Sequence, residues 1–289
     1  MTIAATTLAN PGWDLSTVIE RYSAYGYDAV DFRGCSGELR LWTLPEFSRD
    51  LGESALRIRD AGLHVTCVST GIRTVGWGQE DRDAIDAELE PTLEICRALG
   101  AGQIRVFGGA YDDGLVDRAD AVGRVGENLR RIADHAREAG VEVLLETHDA
   151  WTRSEHSLAA VLAAARPNVG LCWDIKHTYW VAEETPAATW RAIGSHVRNT
   201  HWKDVRRGEA GRKDRLCLCG EGQVPLADAF QVLAEAGYAG PWTFEWEKRW
   251  HPHIEEPEVA LPRFVEYLRS LAAWRDTATT ADAELMKGV

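Results

Sequence analysis

Hydrophobic and polar residues follow one repeating unit along this chain: an amphipathic helix, a glycine, and a short apolar strand. In one such unit, Leu129, Ile132, Ala133 and Ala136 have the i, i+3, i+4, i+7 spacing that places apolar side chains on one face of a helix. Gly140 follows, suited to the left-handed backbone that ends many helices, and an apolar strand comes next. The same order recurs at four other glycines: Gly26, Gly62, Gly100 and Gly237.

These repeats predict an α/β fold. Weaker versions precede residues 169 and 197, and an apolar run at residues 3–8 supplies a first strand, which gives eight strands and about eight helices. Strands that alternate with helices pair in parallel through right-handed crossovers, and eight such units close into a barrel of about 250 residues. No G-x-G-x-x-G follows the first strand and no P-loop is present, which argues against a dinucleotide fold and a nucleotide cofactor. We predict a single (β/α)8 TIM barrel over residues 1–274 and a flexible C-terminal tail over residues 275–289, which lacks an apolar stripe.

The amino-acid composition indicates which classes of binding partner are not expected. Lysine and arginine number 32 against 45 acidic residues, a net charge of −13, so nucleic acid is not an expected partner. No stretch approaches the roughly 18 apolar residues of a membrane span, and the N-terminus lacks a signal-peptide pattern, so we expect a soluble, cytoplasmic protein. The six cysteines have no disulfide-framework spacing; Cys217 and Cys219 form a C-x-C pair, but no partner pair follows it. A homo-oligomer is compatible with such a barrel.

Metal-ligating side chains close four of the last apolar runs. Glu146, Asp174, His201 and Glu245 are separated by 28, 27 and 44 positions, and the C-terminal ends of parallel barrel strands meet at one mouth. Taken singly, each residue could have a purely structural role: Glu146 in a salt bridge at the rim, Asp174 as a helix cap, or His201 as a hydrogen-bonded core histidine. Four such side chains at adjacent strand ends, however, would place uncompensated charge in a buried site unless a cation is bound. The sequence therefore predicts a divalent metal site.

The predicted donor atoms indicate which ion would bind and which reactions it could support. Three oxygen donors and one nitrogen favour Mn²⁺ or Mg²⁺, with Co²⁺ or Zn²⁺ as alternatives. Glu247 competes with Glu245 for the last place, because strand alternation sends both to one side at different depths. A divalent ion chelated by a carbonyl and a neighbouring hydroxyl makes the adjacent C–H acidic and stabilises an enediolate. Return of the proton gives epimerisation or isomerisation, whereas loss of a β-hydroxyl gives dehydration, and the residues alone leave these outcomes open.

The four motifs resemble a known family. Leu-Glu146-Thr-His148, Trp-Asp174-Ile-Lys-His177, His201-Trp-Lys-Asp204 and Phe-Glu245-Trp-Glu are similar to the xylose-isomerase-like TIM barrel superfamily, and more narrowly to the sugar (phosphate) isomerase/epimerase family that contains ketose 3-epimerases and inosose isomerases and dehydratases. The resemblance implies that Glu146, Asp174, His201 and Glu245 bind the metal. It also implies that Glu146 and Glu245 exchange protons with the substrate carbon, and that His177 and Arg207 contact substrate.

Further side chains complete the predicted substrate-binding pocket. His148 and Lys203 can hydrogen-bond hydroxyls or a phosphate, and Trp77, in the glycine-containing loop 70–83, suits a mobile cover. Arg33 and Arg105 alternate with apolar strand neighbours, so they either point into the barrel or form salt bridges with Asp31 or Glu146.

The expected function is a divalent-metal-dependent isomerase or epimerase that acts on a sugar, sugar phosphate or inosose. The main alternative is a metal-dependent lyase, either a dehydratase or an enzyme that cleaves C-glycosides. A remote alternative is an endonuclease acting at abasic DNA sites, which shares the barrel but needs extra ligands from the earlier strands and a basic groove. Here strands one to four supply only His64, at the start of its strand. A binding role without chemistry gives no reason for four buried ligand residues.

Overall fold

A closed barrel of eight parallel strands forms the centre of the computed structural model, which describes residues 1–76, 78–112, 115–208 and 213–287, with side chains up to residue 273. In chain order the strands are β1 (Thr2–Thr6), β2 (Ala29–Phe32), β3 (His64–Arg73), β4 (Gln103–Phe107), β5 (Glu142–Glu146), β6 (Val169–Asp174), β7 (Val197–Trp202), β8 (Asp204–Arg206), β9 (Arg215–Cys217) and β10 (Pro241–Phe244). β8 and β9 form an antiparallel pair outside the barrel, and β10 closes it by pairing with both β7 and β1. The predicted (β/α)8 fold is confirmed.

Helices surround the barrel between successive strands. They are α1 (Leu15–Tyr25), α2 (Leu51–Asp60), α3 (Gln79–Leu99), α4 (Arg118–Glu138), α5 (Ser154–Ala164), α6 (Ile175–Trp180), α7 (Pro186–Ile193), α8 (Leu226–Glu235) and α9 (Pro257–Lys287). α9 crosses the boundary predicted at residue 274, and the division into a barrel and a flexible tail stays a prediction. No helix in the described part of the chain is long and apolar enough to cross a bilayer.

The repeating unit behaves as its pattern predicts. In α4, Leu129, Ile132, Ala133 and Ala136 are fully buried, because this face of the helix packs against the barrel and α5. Gly140 then adopts φ +70°, a conformation that other residue types rarely adopt, and β5 begins two residues later.

Strand register determines the depth of each functional side chain. All six residues of β6 are buried, because its two faces meet the barrel interior and the helix layer. Asp174 lies opposite His201 in the β6–β7 pairing, and Glu146 lies opposite Cys172 in the β5–β6 pairing. The backbone N–H of Glu245 donates to the carbonyl of Trp202, which extends the β10–β7 alignment by one residue. The predicted ligands therefore reach the same end of the barrel.

Candidate metal centre

The structure brings the four predicted ligands together. Glu146 and Asp174 end β5 and β6, His201 lies in β7, and Glu245 directly follows β10. One ligand atom from each lies within 4.8 Å of the others, and all four side chains are buried. Within the described residues this is the only such group of histidine, cysteine and acidic side chains, so Cys217 and Cys219 form no second one.

His201 lies at the centre of the cluster. Its Nδ1 is 3.0 Å from Glu146 Oε1 and 3.3 Å from Glu245 Oε1. Asp174 combines two roles: Oδ1 accepts a 2.8 Å hydrogen bond from the backbone N–H of His177 and caps α6, while Oδ2 points into the cluster. The helix-cap and ligand interpretations of Asp174 are therefore compatible, since each uses one oxygen.

Two buried cations lie among the carboxylates. Lys203 Nζ is 2.8 Å from Asp174 Oδ2 and also contacts Glu245 Oε2, and Arg105 Nε is 3.2 Å from Glu146 Oε2. The salt-bridge interpretation of Arg105 is thus correct, and Lys203, predicted to bind substrate, lies inside the ligand group. The lysine and the arginine neutralise only part of the charge, because a fourth buried carboxylate, Asp31, faces the other side of His201.

The donor set fits a divalent cation. Glu146 Oε2 and Asp174 Oδ2 are buried, and neither accepts a hydrogen bond of good geometry from the described residues. With His201 neutral, as a metal ligand must be, four buried carboxylates face two buried cations, and one divalent ion would offset the remaining negative charge. In the metal-free site burial opposes protonation of His201, but Cys172, Glu245 and Glu146 raise its pKa well above the ordinary value. Three carboxylates and an imidazole form a suitable ligand set for Mn²⁺ or a similar ion.

Glu245 and Glu247 differ in depth, as strand alternation predicts. Glu245 belongs to the cluster, whereas Glu247 lies nearer solvent, with Oε1 2.5 Å from Lys203 Nζ and Oε2 3.3 Å from His251 Nε2. Burial opposes its ionisation, but Lys203 and the hydrogen bond from His251 lower the pKa of Glu247 to about 2. Glu247 therefore balances the charge of Lys203 at the outer side of the site.

Electrostatics distinguish the carboxylates of the cluster. Burial and Glu245 act to raise the pKa of Glu146, yet Arg105 and His201 hold it below its ordinary value. Burial also opposes ionisation of Glu245, but Lys203 and His201 hold its pKa well below the ordinary range. Burial raises the pKa of Asp174 despite Lys203. The two glutamates predicted to move protons are thus the ones that neighbouring cations keep ionised.

Asp31, at the third position of β2, lies behind the histidine ligand. Its Oδ2 is 3.7 Å from His201 Nε2, and its two oxygens accept hydrogen bonds from the backbone N–H and the hydroxyl of Ser69, at 3.2 and 3.0 Å. At 3.7 Å the approach to His201 is an ion-pair contact rather than a hydrogen bond, and a carboxylate on this side of the ring favours the orientation in which the other nitrogen, Nδ1, faces the remaining ligands. Sequence reasoning treated Asp31 only as a salt-bridge partner for Arg33 or Arg105; its position near the end of a strand was the available signal.

A cavity of about 470 Å³ opens above the cluster at the mouth of the barrel. Its acidic wall includes Glu245 and Glu247, and Phe107 and Trp250 supply aromatic surface. Arg33 and Arg105 line it, and because Arg105 also forms the salt bridge with Glu146, the two sequence interpretations of this arginine are compatible. Arg73 lines the cavity as well, and sequence reasoning missed it. Arg73 is the last residue of β3, and only the unusual length of that strand identifies it.

Two histidines meet beside the cluster. The rings of His148 and His177 lie 4.4 Å apart in an edge-to-face arrangement, and His148 lines the cavity. Burial, Lys203 and Lys176 lower the pKa of His177 well below its ordinary value, so His177 is neutral at pH 7. Burial also lowers the pKa of His148, but Asp149 and Glu146 outweigh this effect and raise it. The pair therefore offers one neutral and one more basic imidazole.

Of the predicted substrate contacts, one lies away from the cavity above the cluster and one lies outside the described residues. Arg207 is exposed, with its guanidinium 4.9 Å from the centre of the Trp180 ring, and it lines a different cleft with Tyr179 and Gln223. The structure does not bring Arg207 to the cavity above the cluster. Trp77 falls outside the described residues, so its role as a cover stays a prediction.

Comparison with known proteins agrees with this geometry. Residues 19–277 match the family described as xylose isomerase-like TIM barrel. The chain belongs to that family. Among curated members, it is 22% identical over 196 residues to fructoselysine 3-epimerase of Escherichia coli O157:H7, which covers 66% of this chain and 67% of that protein. It is 23% identical over 173 residues to inosose dehydratase of Lacticaseibacillus casei, covering 51% of this chain and 58% of that protein.

A solved structure shows the same fold. The IolI protein, determined with a bound zinc atom, superposes with a TM-score of 0.79 at 17% identity, covering 94% of this chain and 98% of the other. The two curated relatives named above are an epimerase and a dehydratase.

Proposed function

We propose that this protein is a divalent-metal-dependent isomerase or epimerase that acts on a sugar, sugar phosphate or inosose. The observation that supports it most is the meeting of Glu146, Asp174, His201 and Glu245 within 4.8 Å beneath one cavity. These four residues would hold the ion, which we propose to be Mn²⁺. When bound, it would polarise a substrate carbonyl and stabilise the negative charge that develops on its oxygen.

The chain's own residues carry the proton transfers. Glu146 and Glu245 each turn one oxygen toward His201 Nδ1, and the second oxygen of each contacts a cation: Arg105 for Glu146, and Lys203 for Glu245. We assign to one glutamate the removal of a proton from the carbon next to the carbonyl, and to the other its return. Return on the opposite face inverts the carbon, whereas return to the neighbouring carbon, together with transfer of the hydroxyl proton to the former carbonyl oxygen, exchanges carbonyl and hydroxyl.

The cavity walls orient the substrate. Phe107 and Trp250 give apolar surface for the carbon skeleton, and His148 can hydrogen-bond a hydroxyl. Neutral His177, in contact with His148, can accept or donate a hydrogen bond without adding charge.

A dehydratase is the second candidate, and the histidine pair favours it. Loss of a β-hydroxyl requires a proton for the departing oxygen, and the raised pKa of His148 suits a general acid beside the cluster. A relative of this chain is an inosose dehydratase, which agrees with this possibility.

One experiment tests the proposal and separates the two reactions. The protein is treated with EDTA, reloaded with Mn²⁺, and incubated in D₂O with ketoses, inososes and their phosphates. We expect deuterium at the carbon next to the carbonyl, with complete loss of exchange in EDTA and recovery with Mn²⁺. Elimination of water would instead identify a dehydratase, and full activity of the metal-free protein would refute the metal assignment.

A further inference from the structure

Three arginines line the wall of the mouth that lies across from the carboxylates. Arg33 directly follows β2, Arg73 ends β3, and Arg105 lies in β4, so three adjacent strands each contribute a guanidinium to the cavity above the cluster. The protein carries a net charge of −13, so this concentration of positive charge runs against its overall composition. The cavity also has an acidic wall of Glu245 and Glu247, so the positive charge is confined to one side, and a wall that carries one sign of charge attracts ligand groups of the opposite sign.

The three arginines differ in whether they already have an anionic partner. Arg105 faces Glu146 Oε2 and donates a 2.8 Å hydrogen bond to the carbonyl of Thr70, so its charge is used within the protein. In the described part of the chain, the side chains of Arg33 and Arg73 form neither an ion pair nor a hydrogen bond. Arg73 is exposed, whereas Arg33 is half-buried.

The surroundings of Arg33 leave its charge only partly balanced. Burial, Arg105 and Arg249 lower its pKa to about 10, while Glu88 and Asp31 act in the opposite direction. Within the described residues neither acid forms an ion pair with Arg33: Glu88 Oε1 accepts a 2.6 Å hydrogen bond from the backbone N–H of Gly71, and Asp31 accepts from Ser69 and lies 3.7 Å from His201. A guanidinium in this position is still charged at pH 7 and gains from an anion that enters the cavity.

We infer that Arg33 and Arg73 form a subsite for an anionic group, a carboxylate or a phosphate, on the part of the substrate away from the reacting carbon. The inference rests on the proposed function, because it places that carbon over Glu146 and Glu245. One cavity of about 470 Å³ includes both Glu245 and the two arginines, so a single small molecule can reach both. The forked geometry of guanidinium groups suits either oxyanion.

Binding of a matched series of ligands tests the subsite. Affinities of D-fructose, D-fructuronate and D-fructose 6-phosphate are measured by calorimetry on the Mn²⁺-loaded protein at constant ionic strength. These probes share a ketose skeleton and differ in the group at one end: hydroxyl, carboxylate or phosphate. We expect at least one anionic probe to bind about tenfold or more tightly than D-fructose, and the better of the two identifies the oxyanion.

Two variants assign that preference to the arginines. Arg33→Gln combined with Arg73→Gln should remove the preference for the anion. Arg73→Gln alone, which changes an exposed side chain, should keep the fold by circular dichroism and remove part of the preference. Arg191→Gln, with the same change of charge at the exposed end of α7, is the matched control and should keep the wild-type preference.

The outcomes separate this inference from the proposed function. Equal affinities for the three probes in the wild type, including no binding of any, would overturn the subsite, as would a preference that survives in the double variant. Mn²⁺ affinity is measured in the same samples. Failure to bind Mn²⁺ would contradict the proposed function, whereas normal Mn²⁺ binding without an arginine-dependent preference contradicts the subsite alone.

Discussion

The two sides of the barrel mouth carry different charged groups: metal-type ligands on one side and arginines on the other. At the ends of β5, β6 and β10 and in β7, the side chains are carboxylates and a histidine that are buried and in mutual contact. At the ends of β2 and β3 and in β4, they are arginines, and two of these have no ion pair within the described residues. The difference follows from burial. Closely packed buried carboxylates require a cation within the site, whereas a half-buried and an exposed arginine can meet an anion that arrives from solvent.

Arg105 connects the two sides. It comes from the arginine side, yet its Nε lies 3.2 Å from Glu146 Oε2 and its guanidinium lies 4.0 Å from the centre of the Phe107 ring. Lys203, which directly follows β7, has a similar position between carboxylates and contacts Asp174 and Glu245. These two cations hold the carboxylates together without fully neutralising them.

Removing a proton-transfer carboxylate should have the largest effect on the acidic side. Glu146→Gln or Glu245→Gln should lower kcat by about a thousandfold, because an amide cannot accept the substrate proton. The measurement is the rate of substrate deuterium exchange, with circular dichroism to verify folding. Glu247→Gln is the matched control at the outer side of the site and should lower kcat by less than about tenfold. Near-normal turnover of either inner variant would show that the assignment of proton transfer is wrong.

Weakening the support of the histidine should have a smaller effect. Asp31→Asn should reduce Mn²⁺ affinity by about 10- to 100-fold, because it removes the negative charge that lies 3.7 Å behind His201 and favours the ring orientation facing the metal. Calorimetric titration with Mn²⁺ measures the change. Ser69→Ala keeps the charge of Asp31 and removes only a hydrogen bond, so it should reduce Mn²⁺ affinity less than Asp31→Asn does. Unchanged Mn²⁺ affinity in Asp31→Asn would mean that strand packing alone positions His201.

Changing the histidine pair should have the smallest effect and leave the metal in place. His177→Ala should raise KM by about tenfold, the loss of one buried hydrogen bond, with little change in Mn²⁺ affinity. The reason is that Asp174 accepts from the backbone N–H of residue 177, which alanine retains. Steady-state kinetics and a Mn²⁺ titration check both parts. Loss of metal from this variant would make His177 a ligand rather than a substrate contact.

Most of the fold could be predicted from the sequence because its signals are local. The spacing of Leu129, Ile132 and Ala133 defines a helical face, and Gly140 ends that helix where the pattern indicates. A residue such as Asp174, charged at the end of a fully buried strand, identifies the mouth of the barrel. These features depend only on residues close to one another in the sequence, within a single helix or strand.

Parts of the site could not be predicted, because they depend on contacts between distant segments. Lys203 follows the histidine ligand by two positions, but its contact with Asp174 depends on the alignment of β6 with β7. The place of Arg207, over Trp180 and away from the cavity above the cluster, depends on the path of the chain beyond β8. Sequence spacing gives no measure of either distance.

The sequence by itself determined the order of strands and helices, the closure into eight units and the type of side chain at each strand end. Only the tertiary structure decided which charges share a buried site: Arg105 with Glu146, Lys203 with Asp174, and Asp31 behind His201. The physical reason is range. Helix and strand patterns arise from periodicity within short segments, whereas charge pairing depends on barrel closure, which places residues 31 and 201 side by side although 170 positions separate them.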